Sequence, residues 1–180
     1  MKRNVSVLVV ALAATCLIGC ADDNDNNTSS STDSTSATSV LTCSPGPDAK
    51  CAGVDLSGAD LAGVDLQTID LRGANLEGAN LEGADLSHAN LTGANLTGAN
   101  LSDAIAEWAG LNDATLTKAN LTRTRLANAT LLRVGLDDAT FTGAFLTDTT
   151  LEGADGVADF SLAMLCNTTM PDATIEEPTC

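Results

Sequence analysis

Six cysteines and one histidine have the most distinctive chemistry in this 180-residue chain. Two pairs of cysteines are closely spaced: Cys43 with Cys51, and Cys166 with Cys180. Such pairs form disulfides in exported proteins, or they bind a metal ion. Cysteine metal sites commonly add histidine ligands, and no histidine is near either pair in sequence. Disulfides are the favoured chemistry, and a metal site is the alternative.

Catalytic and cofactor-binding constellations are missing from the sequence. His88 is the only histidine, so neither a histidine-based triad nor a histidine-rich metal site can be assembled. Neither a Walker phosphate-binding loop nor a GxGxxG motif is found. The sequence therefore predicts a protein that is not an enzyme, with no cofactor, metal ion or evident small-molecule substrate.

Cys20 follows a segment with the composition of an export signal. Residues 2–3 are basic, and residues 5–17 are mostly apolar but too few to span a bilayer permanently. The sequence Leu17-Ile18-Gly19-Cys20 resembles a bacterial lipobox, which implies cleavage before Cys20 and lipidation of that residue. The alternative is an ordinary signal with a coincidental cysteine. Ala21 replaces the Asp of the inner-membrane retention signal, which favours the outer membrane or cell surface.

The segment after Cys20 is polar, and the whole chain is acidic. Residues 21–42 are rich in Asp, Asn, Ser and Thr, so they cannot bury enough apolar surface to offset the entropy of ordering. We interpret residues 20–42 as a lipidated cysteine with a disordered tether. The net charge of −16 and the lack of a basic patch argue against a nucleic-acid partner.

A five-residue repeat, A-[D/N]-L-x-x, dominates the chain from residue 54 to residue 153. Stepping by five from Leu56 to Leu151 gives twenty centres, of which eighteen are Leu, one is Phe141 and one is Ala106. Two residues before each centre the residue is usually Ala. Neither a helix nor a continuous strand keeps such a period on one face. A chain that turns a corner every five residues does, and four corners close a square coil of twenty residues.

This pattern resembles that of the pentapeptide-repeat family. The resemblance covers residues 54–175 and implies an all-β fold, a right-handed quadrilateral β-helix. It also implies that the residue before each centre and the two after it face solvent. At Gly156 the register slips by one residue. It resumes with a last set of centres, Phe160, Leu165, Met170 and Ile175. Two positions before these centres stand Ala158, Ala163, Thr168 and Ala173, in the same order. We expect about six coils.

The predicted organisation has five parts. They are a lipoprotein signal peptide (1–19), the lipidated Cys20 with its tether (20–42), an N-terminal cap (43–53), the β-helix (54–155), and a last coil with a C-terminal cap (156–180). Disulfide partners must have Cα atoms within about 7 Å, and the two ends of the stack are several coils apart. We therefore predict the disulfides Cys43–Cys51 and Cys166–Cys180, one at each end.

Stacking of residue n on residue n+20 predicts surface columns. It pairs Lys118 with Asp138, Arg123 with Asp103, and Arg133 with Asp113, and it leaves Arg125 without a partner. These basic residues are therefore interpreted mainly as inter-coil ion pairs. The first coil has Asp55, Asp60, Asp65 and Asp70 at its outward positions, with Asp65 over Asp85. A solvated acidic end is the favoured interpretation, with a weak Ca²⁺ contact as the alternative.

One repeat, residues 104–108, departs from the pattern. Its centre is Ala106, and the outward residues Ile105 and Trp108 are apolar. Local repacking, in which Ile105 or Trp108 covers the defect, is one interpretation. The other is a contact patch for a partner, formed by Ile105, Trp108, Arg125 and Phe145, with His88 in the column of Trp108.

Two functions remain in view. The first is a non-enzymatic, lipid-anchored protein of the bacterial envelope, a rigid scaffold or interaction module that contacts the membrane through Cys20 and an unidentified protein through its surface. The second comes from the resemblance, because some pentapeptide-repeat proteins mimic DNA and act on DNA gyrase. Export argues against the second function, since gyrase is cytoplasmic.

Overall fold

Each pentad bends the chain through a four-residue turn. In the turn that follows Leu56, the Ala59 N–H donates to the Leu56 carbonyl oxygen at 3.0 Å. The third residue of that turn, Gly58, has a φ of 63°, the left-handed conformation that a type II turn requires there. This arrangement recurs along the array, so the chain turns a corner every five residues as predicted.

The computed structural model of the protein describes residues 43–176, which belong to one compact unit, Val40–Cys180. The predicted signal peptide (1–19), Cys20 with its tether (20–42) and Cys180 lie outside the described residues. In the described part of the chain, no helix is long and apolar enough to cross a membrane.

Successive coils pair as parallel β-bridges. Asp55 pairs with Asn75, and Asn75 pairs with Asn95, so each step advances twenty residues. The bridges are isolated because a turn interrupts the chain on both sides of each one. They run from the pair Lys50–Asp70 to the pair Thr150–Thr169. The predicted square coil of twenty residues is confirmed. The series of β-bridges begins at Lys50, before the predicted start of the β-helix at residue 54.

The interior consists of the pentad centres and the small residues two positions before them. Leu66, Leu71 and most later centres are fully buried, as are the Ala residues beside them. Two Thr residues replace Ala at interior positions of the array, Thr124 and Thr149. Their hydroxyls donate 2.7 Å hydrogen bonds to the carbonyl oxygens of Leu101 and Leu126 in the coil before, which satisfies groups that are otherwise costly to bury.

The register slip at Gly156 is confirmed. Thr140 pairs with Asp159, nineteen residues further on, whereas the earlier pairs are twenty residues apart. Gly156 has a φ of 94°, and a Cβ at this position would lie 2.6 Å from the backbone nitrogen of Asp137. The chain therefore needs a glycine here, because no side chain fits between the two coils.

The last predicted pentad is wrong. Phe160, Leu165 and Met170 pack against the core as predicted, but Ile175 is exposed and Ala173 lies at the surface with a φ of 63°. Two short strands, β1 (Thr168–Thr169) and β2 (Ile175–Glu176), pair antiparallel. The chain thus folds back on the last coil and covers its backbone edge there, whereas a further pentad would have left that edge open.

The N-terminal disulfide joins Cys43 to Cys51, as predicted, with Cα atoms 5.4 Å apart. Cys51 occupies a centre position and is buried over Leu71. Cys166 is disulfide-bonded. Because Cys180 lies outside the described residues, the pairing of these two stays a prediction.

Candidate interaction surface

Two outward columns and one corner of the square coil form the surface around Trp108. The β-bridges place Asp85, Ile105, Arg125, Phe145 and Met164 in one column. Two residues further along each coil lies a second column: Ser87, Glu107, Ala127 and Thr147. We call these two columns the Trp108 face. The corner that follows it carries Thr68, His88, Trp108, Asn128 and Asp148, and we call it the Trp108 corner.

Large apolar side chains are exposed on this surface. Trp108 is 58% exposed, Phe145 is 41% exposed and Met164 is 47% exposed, while Ile105 is half-buried. Leu162, at the corner preceding Met164, is more exposed than any of them. Since Trp108 remains outside the core, it does not cover the defect at Ala106.

The Trp108 corner has no glycine at any described level. Every residue of this corner from Thr68 to Asp148 has a φ near 60°, a conformation that costs a residue with a side chain roughly 1–2 kcal/mol. Each of the other three corners has glycine at half of its levels or more, for instance Gly58, Gly78 and Gly98 in one of them. The Trp108 corner therefore keeps its side chains at a conformational cost that the other corners avoid in part.

Side chains at the Trp108 corner contact one another from coil to coil. The rings of His88 and Trp108 stack, with centroids 6.2 Å apart and planes 10° from parallel. Asn167, which follows in the same corner, donates a 2.6 Å hydrogen bond to Asp148. The predicted column that joins His88 to Trp108 is therefore confirmed, and it lies beside the Trp108 face.

The prediction that Arg125 has no partner is wrong. Its Nη2 atom lies 2.6 Å from Oε1 of Glu107. Glu107 belongs to the neighbouring column one coil earlier, so the pair is diagonal and a search along single columns does not find it. Arg125 is consequently held across the Trp108 face, with its guanidinium turned toward the coil that contains Glu107.

A shallow hollow lies at the centre of the Trp108 face. Its lining is formed by Glu107, Arg125, Ala127, Phe145 and Thr147. The other described members of the second column are larger than Ala127, so the hollow lies where this column has its smallest side chain. An ion pair and an aromatic ring are part of its lining.

The other basic residues are mostly explained by ion pairs. Arg123 pairs with Asp103 at 2.5 Å and Arg133 pairs with Asp113 at 2.7 Å, as predicted. The hydrogen bonds that the two arginines donate hold the pKa of both aspartates below its ordinary value. The predicted Lys118–Asp138 pair is wrong, because no ion pair within 4.0 Å joins these residues in the described structure.

Two columns of the first half form asparagine ladders that the sequence analysis missed. In one ladder Asn80 donates to Asp60 at 2.9 Å, Asn100 donates to Asn80 at 3.3 Å, and Asn120 donates to Asn100 at 3.1 Å. In the other, Asn75 donates to Asp55 and Asn95 donates to Asn75. The signal was present, since each column begins with Asp and continues with Asn at intervals of twenty residues.

The ladders explain two of the four outward Asp residues of the first coil, Asp55 and Asp60. An interior member of a ladder must both donate and accept, which an amide does, whereas the first member only accepts, which suits a carboxylate. Hydrogen bonds from Ser57 and Asn75 lower the pKa of Asp55 below its ordinary value. Among residues 43–176, no group of His, Cys, Asp or Glu side chains is arranged to hold a metal ion. Asp55 and Asp60 thus have a structural explanation, and Asp70 forms an ion pair with Arg72.

The family model for pentapeptide repeats matches eight copies, within residues 49–87, 69–105, 79–117 and 119–155. The chain belongs to the pentapeptide-repeat family. Pentapeptide-repeat proteins fold as right-handed quadrilateral β-helices and are generally non-enzymatic structural or interaction proteins. No curated protein sequence matches the chain.

Several solved pentapeptide-repeat structures are similar. HetL, a protein involved in heterocyst differentiation regulation in the cyanobacterium Nostoc, is 32% identical, with 72% of this chain and 73% of HetL covered and a TM-score of 0.40. A protein from the Arabidopsis thaliana thylakoid lumen is 39% identical over 56% of this chain and 66% of its own, with a TM-score of 0.35. QnrB1, a plasmid-mediated fluoroquinolone resistance protein, is 22% identical over 66% of each chain, with a TM-score of 0.31.

The structure brings the four predicted contact residues together. Ile105, Arg125 and Phe145 share one column, and Trp108 lies at the adjoining corner. Met164 extends the column and was missed, although the register slip assigns it an outward position beside Phe145. The use of this pentapeptide-repeat surface by a partner stays a prediction.

Proposed function

We propose that this pentapeptide-repeat protein is a non-enzymatic interaction module, held at the bacterial envelope by a lipid on Cys20. The observation that carries the interaction role is the exposure of Trp108, Phe145 and Met164 on one side of the molecule. The asparagine ladders and inter-coil ion pairs account for several other surface side chains as structural contacts. Contiguous exposed apolar groups on a soluble surface mark places where proteins meet partners.

The lipid anchor is supported by the start of the sequence. Residues 5–17 have the length and apolarity of a cleaved export signal, and Leu17-Ile18-Gly19-Cys20 resembles a lipobox. Two or three acyl chains would hold the protein on a membrane firmly, and the polar residues that follow Cys20 would separate the β-helix from the lipid surface.

Metabolic labelling with a clickable fatty acid tests the anchor. We expect label on the wild-type chain in the membrane fraction and none on Cys20→Ser, which also leaves that fraction. Cys43 is the wrong control because of its disulfide, so the matched variant is Ser29→Ala, which should label normally. A wild-type chain that stays unlabelled and cytoplasmic would overturn the envelope location.

Site-specific photocrosslinking in intact cells tests the interaction role. A photoreactive amino acid replaces Trp108 in one strain and Gly98, at a corner of the same β-helix away from the Trp108 face, in another. We expect a discrete crosslinked protein from position 108 and none from position 98. Identical products from both positions, or none from either, would remove the support for a specific module.

The alternative function, mimicry of DNA toward gyrase, gains no specific support. The likeness to QnrB1 shows the fold alone, and two of the four outward Asp residues of the first coil are explained by the ladders. Adding the purified chain to a gyrase supercoiling reaction provides a direct comparison, and we expect no inhibition.

A further inference from the structure

We propose that the Trp108 face binds a basic polypeptide segment that carries an aromatic anchor residue, and that the anchor occupies the hollow over Ala127. This inference rests on the proposed interaction function and adds the chemistry of the partner. It draws on three features of the surface: the shape and lining of the hollow, the apolar side chains around it, and the carboxylates at its edge.

The hollow has the lining of a site for one flat side chain. Ala127, Phe145 and Arg125 all line it, and the guanidinium of Arg125 is held by Glu107. Aromatic rings pack edge-to-face or offset against other rings, and guanidinium planes stack on ring faces. An aromatic side chain of a partner can therefore pack on both the Phe145 ring and the Arg125 guanidinium, whereas a small side chain offers little contact to either.

Apolar side chains surround the hollow on the same surface. Ile105 lies one coil before Arg125 and Met164 one coil after Phe145, with Trp108 at the adjoining corner. A central apolar region with charged groups at its edge is the arrangement of a protein interface. Side chains of the partner on either side of its anchor would therefore be apolar where they pass over these residues.

The edge of the surface is acidic and has unpaired charge. Asp85 follows Asp65 in the first column and Asp148 lies at the corner. Neither Asp85 nor Asp148 forms an ion pair with any residue between 43 and 176. Asp85 accepts hydrogen bonds from Gln67 and Ser87. The chain as a whole has a net charge of −16, so its field attracts a cationic segment and repels an anionic one.

Charge also disfavours a second copy of this chain as the occupant. Two copies that meet through the Trp108 face would bring together two strongly acidic molecules, with Asp85 and Asp148 of each near the contact. A basic segment instead places opposite charges at the same positions. Charge complementarity thus selects the partner segment over the dimer.

Intrinsic fluorescence provides a direct test, because Trp108 is the only tryptophan in the chain. The probe is the amidated peptide Lys-Ser-Lys-Leu-Phe-Leu-Lys-Ser-Lys, titrated into the purified chain at low salt. One comparison peptide has Ser in place of Phe, and the other has Glu in place of every Lys. We expect a saturable fluorescence change with the probe, at least about tenfold weaker binding without the Phe, and none for the acidic peptide.

Variants of the chain locate the contact. Phe145→Ala should weaken probe binding about tenfold, whereas Val157→Ala, an exposed apolar residue at another corner, should leave it unchanged. Asp85→Asn combined with Asp148→Asn should weaken binding and flatten its salt dependence, while Asp60→Asn on another face should not. Circular dichroism of each variant shows that the fold is retained.

Three outcomes would overturn the inference. Equal binding of the peptide that lacks Phe would mean general charge attraction, and an unchanged affinity of Phe145→Ala would move the contact elsewhere. Self-association in sedimentation experiments, lost in Phe145→Ala, would make a second copy the occupant. A partner crosslinked in cells through position 108 that has no basic aromatic segment would sink this inference and leave the interaction function standing.

Discussion

The asparagine ladders and the Trp108 face have the same backbone geometry, but their outward side chains have different roles. In the ladders each outward Asn bonds to the residue twenty positions away and to a backbone N–H two positions on, as Asn100 does with Asn80 and Ser102. On the Trp108 face the equivalent positions hold Ile105, Arg125 and Phe145. The Arg125 side chain joins coils through its diagonal ion pair with Glu107, and Phe145 is an exposed apolar side chain.

This contrast indicates which positions serve stability. A ladder residue satisfies neighbours on both sides, so its loss leaves several polar groups without partners. An exposed apolar residue on the Trp108 face has few contacts to lose. Matched pairs of variants therefore test the contrast most sharply.

Asn100→Ala should have the largest effect on stability. It removes the acceptor of the Ser102 N–H and of Asn120, and the donor to Asn80. We expect the free energy of unfolding to fall by about 2 kcal/mol. Phe145→Ala is the matched variant on the Trp108 face, and its effect in chemical denaturation should stay below about 1 kcal/mol. Equal losses in the two variants would remove the distinction between the regions.

Exchanging acid and amide within one ladder should act in opposite ways at two neighbouring positions. Asn80→Asp places a carboxylate against that of Asp60 and removes a donor, so we expect a loss of about 1 kcal/mol. Asp60→Asn keeps an oxygen for Asn80 and for the Ala62 N–H, so the change should be close to zero. If both variants lose stability equally, the explanation of Asp60 is wrong.

Substitutions at the two kinds of corner should change the free energy of unfolding in opposite directions. Gly98 has a φ of 65° and open space around its Cα, so Gly98→Ala should cost about 1 kcal/mol through backbone conformation alone. Trp108→Gly relieves the same strain and should raise the unfolding free energy by about 0.5 kcal/mol. It should also weaken binding of the probe peptide, followed here by calorimetric titration because this variant has no tryptophan. A destabilised Trp108→Gly would show that Trp108 serves the fold.

Acidification should weaken the ion pair between Arg123 and Asp103. Arg123 holds the pKa of Asp103 below its ordinary value, so the stability from this pair is present above a pH of about 4 and is lost as the pH falls below it. The urea midpoints of wild type and Asp103→Asn should therefore converge between pH 5 and pH 2. A gap that persists at pH 2 would contradict the assignment.

The repeat made most of the fold predictable. A five-residue period with Leu and Ala is incompatible with regular helix or strand, so the square coil, its twenty-residue register and the slip at Gly156 all followed from spacing. The prediction of the last pentad was wrong although Ala173 and Ile175 fit the pattern. At an end where no further coil stacks, Ile175 pairs antiparallel with Thr169 instead of entering another pentad. The composition of the pentad does not show which of these two structures is more stable.

The candidate surface was predictable only in part. Column register placed Ile105, Arg125 and Phe145 together, and it joined His88 to Trp108. It could not show that Arg125 reaches diagonally to Glu107, because that contact depends on side-chain length and direction across two columns. The hollow over Ala127 is likewise a property of the larger side chains around it.

The sequence alone determined the repeat and its register, and with them which side chains point inward and which share a column, since these depend only on spacing. The tertiary structure decided what those columns do. Hydrogen-bond geometry turned two of them into ladders, and the balance between burial and a left-handed φ left Trp108 in solvent. Contacts between neighbouring coils, which no single pentad contains, settled both outcomes.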